Sequence, residues 1–203
     1  ADFEELSKLV AGTDILILSD EVYEHMVFDG KKHCSIVEYP QLRNRSMAVY
    51  SFGKTLHATG WKLGYIVADE ALMHEFRKVH QFDVFCSNTP MQYAIADYLE
   101  NENVYLGLPQ FFQQKRYFFL DRIQDSPFKL VPSAGTYFQV ADYSNISDEP
   151  DTEFAKRMTI EYGVAVIPIS VFYHNGLDNK TVRFCVAKTE ELLAQAADKI
   201  CKI

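Results

Sequence analysis

The sequence predicts an α/β protein, with part of a mainly parallel sheet followed by a smaller α+β unit. Short apolar runs at residues 15–19, 46–51 and 63–68 have the length and branched side chains of strands buried on both faces. A long helical pattern then runs from residue 90 to about residue 124. The hydrophobic share of 48% and the charged share of 24% are typical of a globular core.

The amino-terminal region predicts the edge of a sheet with polar residues at its strand ends. Residues 1–10 have the pattern of an amphipathic helix, and the sequence begins with Ala1 rather than Met. We therefore expect the sequence to be a fragment of a longer protein. The first strand leads into Asp20 and the second ends near Ser51. Because ligands collect beyond the carboxyl ends of strands in open α/β sheets, we expect Asp20 and Ser51 to meet at a ligand site.

The rest of the chain predicts helices and a small sheet. The long helical pattern is interrupted at residues 101–103 and at Pro109, and a Pro-Ser-Ala-Gly turn separates two later strands. Composition changes near residues 86–90, so we predict one domain over residues 1–88 and a small carboxyl-terminal domain over residues 89–203. The predicted helices are 70–79, 151–162 (starting at Asp151 or Thr152, stopping at Gly163) and 189–202; the predicted strands are 128–131, 136–141, 164–167 and 182–186.

Charge and composition exclude several classes of protein. With 20 Lys and Arg against 28 Asp and Glu, the net charge of −8 argues against a general nucleic-acid-binding surface. No apolar run approaches the roughly 20 residues that a membrane-spanning helix needs. The four cysteines lie scattered, without a C-x-x-C pair or metal-ligand spacing, so we predict a reduced, cytoplasmic setting and no metal site.

One stretch combines the groups that amino-acid chemistry needs. Residues 51–65, SFGKTLHATGWKLGY, follow a strand and carry Lys54, Lys62 and three glycines. Upstream stand Asp20 and Tyr23, and downstream stands Arg183. An amine, a carboxylate, a phenol, a hydroxyl with cationic help and a late arginine are the parts that hold pyridoxal 5′-phosphate (PLP) and an amino acid.

These motifs resemble a known enzyme family over essentially the whole chain. SDEVYEHMVF, SFGKTLHATGWKLGY, AGTYF, GVAVIPISVFY and VRFCVAK are similar, in that order, to class I/II PLP-dependent aminotransferases of fold type I. The resemblance is to the carboxyl-terminal half of the methionine/kynurenine (glutamine-type) branch. It implies a PLP-transferase large domain followed by a small domain, a homodimer, and amino-group transfer from a methionine-like, neutral or aromatic amino acid to a 2-oxo acid.

The resemblance assigns a role to each candidate residue. Lys54 resembles the lysine that forms a Schiff base with PLP and later moves a proton. Asp20 resembles the carboxylate paired with the pyridine nitrogen, and Tyr23 the phenol beside the 3′ oxygen. Ser51 and Lys62 resemble phosphate ligands, although many relatives carry arginine at the position of Lys62, which binds bidentately where lysine is a point charge. The sixth residue, Arg183, resembles the arginine that binds the substrate α-carboxylate.

Each residue also has a plainer interpretation, and the whole set has alternatives. Lys54 is otherwise a surface lysine, Asp20 a helix cap, Tyr23 a core residue and Arg183 a salt-bridged surface residue. A PLP-dependent carbon–sulfur lyase on the same fold would share these residues, and release of pyruvate and ammonia would distinguish it. A folded but inactive fragment is the remaining alternative. The Ser-x-x-Lys of penicillin-recognising enzymes lacks its companion motifs here and is rejected.

Overall fold

The computed structural model of the protein describes residues 2–203, so the first residue of the predicted amino-terminal helix lies outside it. The chain divides into two compact units. The first unit contains the residues up to His25 together with Lys32–Leu108. The second unit contains Met26–Lys31 and Pro109–Ile203. The boundary predicted between residues 88 and 89 falls inside the first unit, and as a domain boundary of the intact protein it stays a prediction.

The first unit contains a three-stranded sheet in the order β1-β2-β3. Strands β1 (Ile17–Asp20) and β2 (Ser46–Ser51) are parallel, as expected, but β3 (Gly64–Ala68) is antiparallel to β2. The prediction that the third run is a parallel-type strand is therefore wrong. Its connection to β2 holds only the four-residue helix α3 (Phe52–Thr55) and a 3₁₀ turn, which is too little for the crossover that a parallel pair requires.

One face of this sheet carries the core of the first unit. Helix α1 (Asp2–Leu9) precedes β1, and the short helix α2 (Pro40–Arg43) precedes β2. Side chains alternate along β2, so every second one is buried on the core face. The buried cluster consists of Val10, Ile36, Leu42, Ala48 and Tyr50.

The long helical region is divided into separate helices, as predicted. After α4 (Glu70–Asp83) come α5 (Thr89–Leu99), α6 (Asn103–Leu106) and α7 (Leu108–Ile123). The predicted interruption at residues 101–103 is confirmed, because it lies between α5 and α6. Pro109 begins rather than ends a helix, since the first turn of α7 needs no N–H from it.

The second unit contains a four-stranded antiparallel sheet. Its strands are, in spatial order, β4 (Lys129–Leu130), β5 (Phe138–Asp142), β7 (Thr181–Cys185) and β6 (Ile167–Pro168). The buried face of this sheet packs against the helices of the unit.

Of the predicted strand over residues 164–167, only Ile167 lies in β6 (Ile167–Pro168). The helix before it, α8 (Asp151–Ile160), begins at Asp151 as predicted, with Pro150 at the N-cap position and no side-chain cap. The buried Asp151 carboxylate instead accepts hydrogen bonds from Ser170. Helix α9 (Glu190–Ile200) follows β7.

The last helix begins as the sequence predicts. The Thr189 side chain caps α9 by accepting a hydrogen bond from the backbone N–H of Leu192. Across residues 2–203, none of the helices combines the length and the apolar character that crossing a bilayer demands.

Candidate functional site

Two of the candidate residues meet at one edge of the first sheet. Asp20 ends β1 beside Val49, and Ser51 ends the parallel neighbour β2. The Asp20 side chain is exposed, and its Oδ1 atom accepts a hydrogen bond of 3.3 Å from the backbone N–H of Val22. That bond begins the turn that carries the half-buried Tyr23. The shared edge expected from the sequence is therefore present.

Lys54 lies directly beyond this edge. It belongs to α3, which starts at the residue after Ser51, and its side chain is half-buried. Within residues 2–203, its ammonium group takes part in no hydrogen bond or ion pair. A β-carbon at Gly53 would lie 2.8 Å from the Thr59 Cα atom, so only glycine lets the chain fold back this closely beside Lys54. The helix that carries the lysine is thus held by backbone packing.

Lys62 stands beyond the same end of the sheet, in an uncommon backbone conformation. Its φ angle is 56°, in the left-handed region, which costs a non-glycine residue about 1–2 kcal/mol. Gly64, two residues later, pairs with Ser51, so the start of β3 lies beside the end of β2. The exposed Lys62 thereby belongs to the edge that carries Ser51.

A buried carboxylate lies next to the exposed one. Glu21 follows Asp20 and is only 6% exposed, because successive side chains at a strand end point to opposite faces. Its oxygens accept hydrogen bonds from the Ile36 N–H at 2.9 Å, the Ser19 hydroxyl at 3.0 Å and the Tyr50 hydroxyl at 2.8 Å, and one lies 2.9 Å from the His33 Nε2 atom. We call these residues the Glu21 network.

The network keeps the buried Glu21 ionised. Burial alone raises the pKa of this carboxyl, but the hydrogen bonds from Ile36, His33 and Tyr50 outweigh it and lower the pKa below its ordinary value. The same contact has the opposite effect on the pKa of Tyr50. Burial and its bond to Glu21 raise the pKa of the Tyr50 hydroxyl to about 12, so it remains a donor at neutral pH.

Arg183 belongs to the second unit and has a different setting. It lies within β7, paired with Val140 and Ile167 on the two neighbouring strands. The guanidinium carbon lies 3.9 Å from the ring centre of Phe138 and 5.0 Å from that of Phe172. Its buried Nε atom has no hydrogen-bond partner, and no carboxylate of the described residues forms an ion pair with it. The interpretation as a salt-bridged surface residue is therefore not supported within residues 2–203.

Arg116, in the same unit, shows what a structural arginine looks like here. It is almost fully buried and binds Asp29 bidentately, at 2.7 and 2.8 Å, and also donates to the carbonyl of Ser133. The hydrogen bonds that Asp29 accepts from Arg116 and Tyr117 lower the pKa of its carboxyl to about 2. Like Arg183, Arg116 lies over aromatic rings and has a buried Nε atom without a hydrogen-bond partner, so the two arginines differ in the carboxylate that Arg116 binds.

Sequence reasoning missed two features: the Glu21 network, and the contact of Arg183 with the rings of Phe138 and Phe172. The first has a signal in the sequence, since strand alternation at Asp20 predicts that the next carboxylate turns towards the core. The second has none, because Phe172 lies in a 3₁₀ turn and pairs with Arg183 only through tertiary structure. Of the three glycines of residues 51–65, Gly53 and Gly64 allow a close approach of neighbouring backbone, whereas a β-carbon at Gly60 would meet no atom within 4 Å.

Comparison with known proteins decides the family. The family model for "Aminotransferase class I and II" matches residues 1–200. The chain belongs to this aminotransferase family. It is 47% identical over 201 residues to the methionine aminotransferase of Escherichia coli (strain K12), covering 98% of this chain and 52% of that protein. It is 35% identical to kynurenine–oxoglutarate transaminase 1 of Mus musculus, with coverage of 98% and 52%.

Solved structures give the same result for this family member. YbdL of Escherichia coli, described as having a methionine aminotransferase function, superposes with a TM-score of 0.94 at 45% identity and covers 100% of this chain and 54% of YbdL. N-succinyldiaminopimelate aminotransferase of Mycobacterium tuberculosis superposes with a TM-score of 0.90 at 27% identity, covering 98% and 53%. The chain thus spans about half the length of the relatives it matches.

Proposed function

We propose that the intact protein is a PLP-dependent aminotransferase, which moves an amino group from an amino acid to a 2-oxo acid. The observation that carries the proposal is the half-buried, unpaired Lys54 amine, placed just beyond the strand ends that bear Asp20 and Ser51. Family membership supports it. The comparisons supply aminotransferases and no carbon–sulfur lyase among the relatives named above, so the lyase alternative is not favoured.

The donor set of the first unit fits this cofactor. When bound, PLP supplies an aldehyde that captures amino groups and a ring that takes up the electron pair left at the substrate Cα. The Lys54 Nζ atom is assigned to holding PLP and then carrying a proton to and from Cα. The Asp20 carboxylate stabilises a proton on the ring nitrogen, and the Tyr23 hydroxyl is a donor for the ring oxygen.

The remaining candidates are assigned to anions. Ser51 offers a hydroxyl and Lys62 a cation at the same sheet edge, which together suit a phosphate group. Arg183 is assigned to the substrate α-carboxylate, because its planar fork matches two carboxylate oxygens and nothing within residues 2–203 already neutralises it.

We propose methionine or another neutral or aromatic amino acid as the amino donor. The relatives named as methionine aminotransferase and kynurenine–oxoglutarate transaminase support this substrate class. The rings of Phe138 and Phe172 beside Arg183 add an apolar surface that favours such side chains. The proposal is completed by a homodimer, which the resemblance to this branch implies, and by a cytoplasmic setting, which the scattered cysteines favour.

The test is a turnover assay on the full-length gene product with added PLP. Methionine, phenylalanine and kynurenine are each supplied with a 2-oxo acid, and the new amino acid is measured. We expect product only when both an amino donor and a 2-oxo acid are present. Release of ammonia without any added 2-oxo acid would instead show that the protein is a lyase. If neither reaction occurs, the proposed function is wrong.

A further inference from the structure

The Glu21 network joins the end of β1, which carries Asp20, to the end of β2, which carries Ser51. Its carboxylate binds Ser19 in β1, Tyr50 in β2 and the backbone of Ile36 in the loop between them. Glu21 is next to Asp20, and Tyr50 is next to Ser51. One buried side chain therefore joins the two strand ends to the loop behind them.

The backbone of Glu21 fixes the segment that follows. Its N–H donates to the Val49 carbonyl at 2.9 Å, and its carbonyl accepts from the Glu24 N–H at 3.1 Å. These two bonds enclose the turn that carries Tyr23. Because the side chain and the backbone of Glu21 are both held, Glu21 fixes the backbone that carries Asp20 and Tyr23, while its own side chain faces away from that of Asp20.

We infer that Glu21 is a positioning residue for the cofactor site: its saturated carboxylate locks the ends of β1 and β2 so that Asp20 and Tyr23 are fixed before PLP binds. The inference rests on the proposed function. A carboxylate has about four acceptor positions, and four donors approach this one, so none is left for a ligand. Glu21 consequently acts through its neighbours and not by contact with substrate or cofactor.

The decisive variant is Glu21→Gln in the full-length gene product. The glutamine amide keeps one acceptor oxygen but replaces the other by an NH₂ donor, which cannot accept from Tyr50 or pair with a donating His33. We expect PLP to bind about tenfold more weakly, because part of the binding free energy must then be spent on ordering the ends of β1 and β2. In the cofactor-free protein, we expect faster amide hydrogen exchange at Val22 and Tyr23.

Two controls separate positioning from general loss of stability. Glu38→Gln removes an exposed carboxylate two residues after Ile36 and is expected to change neither readout. Leu42→Ala removes buried volume from the same core without removing a donor to Glu21, so it is expected to lower the unfolding midpoint while leaving PLP affinity intact. If Glu21→Gln does not fold, Tyr50→Phe removes a single donor and is expected to weaken PLP binding by a smaller factor.

The outcomes of this experiment are distinct. Weaker PLP binding together with faster exchange in Glu21→Gln, and not in either control, supports the inference. A Glu21→Gln protein that binds PLP as tightly as the unsubstituted one overturns the inference alone. An unsubstituted protein that takes up no PLP overturns the proposed function, and the inference fails with it.

Discussion

The two units hold their candidate residues by opposite means. In the first unit, Asp20 stands beside Glu21, whose buried negative charge is satisfied by four donors. In the second unit, the Arg183 guanidinium lies over two aromatic rings and has no anionic partner within the described residues. The first arrangement is complete without a ligand, whereas the second still lacks a counter-charge.

This difference follows from the chemistry of the two ions. A carboxylate is strongly hydrated, so burying it requires a full set of hydrogen bonds. A guanidinium is weakly hydrated and can be held by ring faces alone, which leaves its edge nitrogens for a carboxylate. The comparison teaches that the first unit satisfies its buried carboxylate within its own fold, while the second unit holds an arginine whose fork is not paired with a carboxylate of the described residues.

The largest effect is expected at the amine that the first unit leaves unpaired. Replacing Lys54 with alanine removes the proposed cofactor anchor and proton carrier, and we expect kcat to fall about a thousandfold or more. Steady-state kinetics on the full-length gene product measure this. Lys78→Ala is the matched control, because that exposed lysine pairs with Glu75 on its own helix. Equal losses in the two variants would contradict the role of Lys54.

The next largest effect is expected at Arg183. Arg183→Ala removes the proposed carboxylate contact, and we expect a loss of about 2–4 kcal/mol in kcat/KM for amino acids. Arg122→Ala is the control, since Arg122 also stacks on one ring of the second unit, that of Phe118. Unchanged kcat/KM in Arg183→Ala would remove the substrate side of the comparison.

A smaller effect is expected from the ring that holds the arginine. Phe172→Leu keeps an apolar side chain but removes one π face from Arg183, and we expect kcat/KM to drop by about 0.5–2 kcal/mol, mainly through KM. Phe111→Leu removes the ring beneath Lys115 in the same way and is expected to leave kcat/KM unchanged. If kcat/KM changes by the same factor in both variants, the Phe172 ring does not orient Arg183.

The smallest effect under assay conditions concerns the matched pair Arg116 and Asp29, since it appears only in acid. The folded-state pKa of Asp29 is about 2, below the ordinary 3.8, so its contribution to stability is complete above about pH 4 and is lost as pH falls towards 2. We expect Asp29→Asn to show a shallower decline of unfolding free energy over this window than the unsubstituted protein. Chemical denaturation at several pH values measures it.

An exposed aspartate supplies the control for that prediction. Asp125→Asn is expected to give a curve parallel to that of the unsubstituted protein. A parallel curve for Asp29→Asn as well would show that the pair does not stabilise the fold through its charge. In that case Arg116 would no longer serve as the structural counterpart of Arg183.

The placement of Asp20 and Ser51 at one edge of the sheet could be predicted from the sequence, because the end of a strand is a local feature. The apolar runs before Asp20 and Ser51 define where the strands stop, and the glycines around Lys54 mark the close turn that follows. The antiparallel direction of β3 was missed, because an apolar run has the same composition in either direction. The direction of β3 relative to β2 is set by the segment that connects them, and hydrophobic periodicity alone does not predict that this segment contains only a short helix and a 3₁₀ turn.

Features that depend on distant residues escaped prediction for the same physical reason. Glu21 meets His33 and Tyr50 across gaps of 12 and 29 residues, and the Asp29–Arg116 pair spans 87. Asp151 begins its own helix as predicted, but the hydrogen bonds that its buried carboxylate accepts from Ser170, 19 residues away, could not be predicted. Such choices between local and distant partners are decided by packing, which a single sequence does not contain.

The most direct test of the central claim is borohydride reduction of the PLP-loaded, full-length gene product, followed by mass mapping of its peptides. The account predicts a visible absorption band from bound PLP and, after reduction, a stable pyridoxyl adduct on Lys54. Lys54→Ala should lose both signals. An adduct confined to other lysines, or no adduct at all, would contradict the assignment of Lys54 and with it the proposed aminotransferase site.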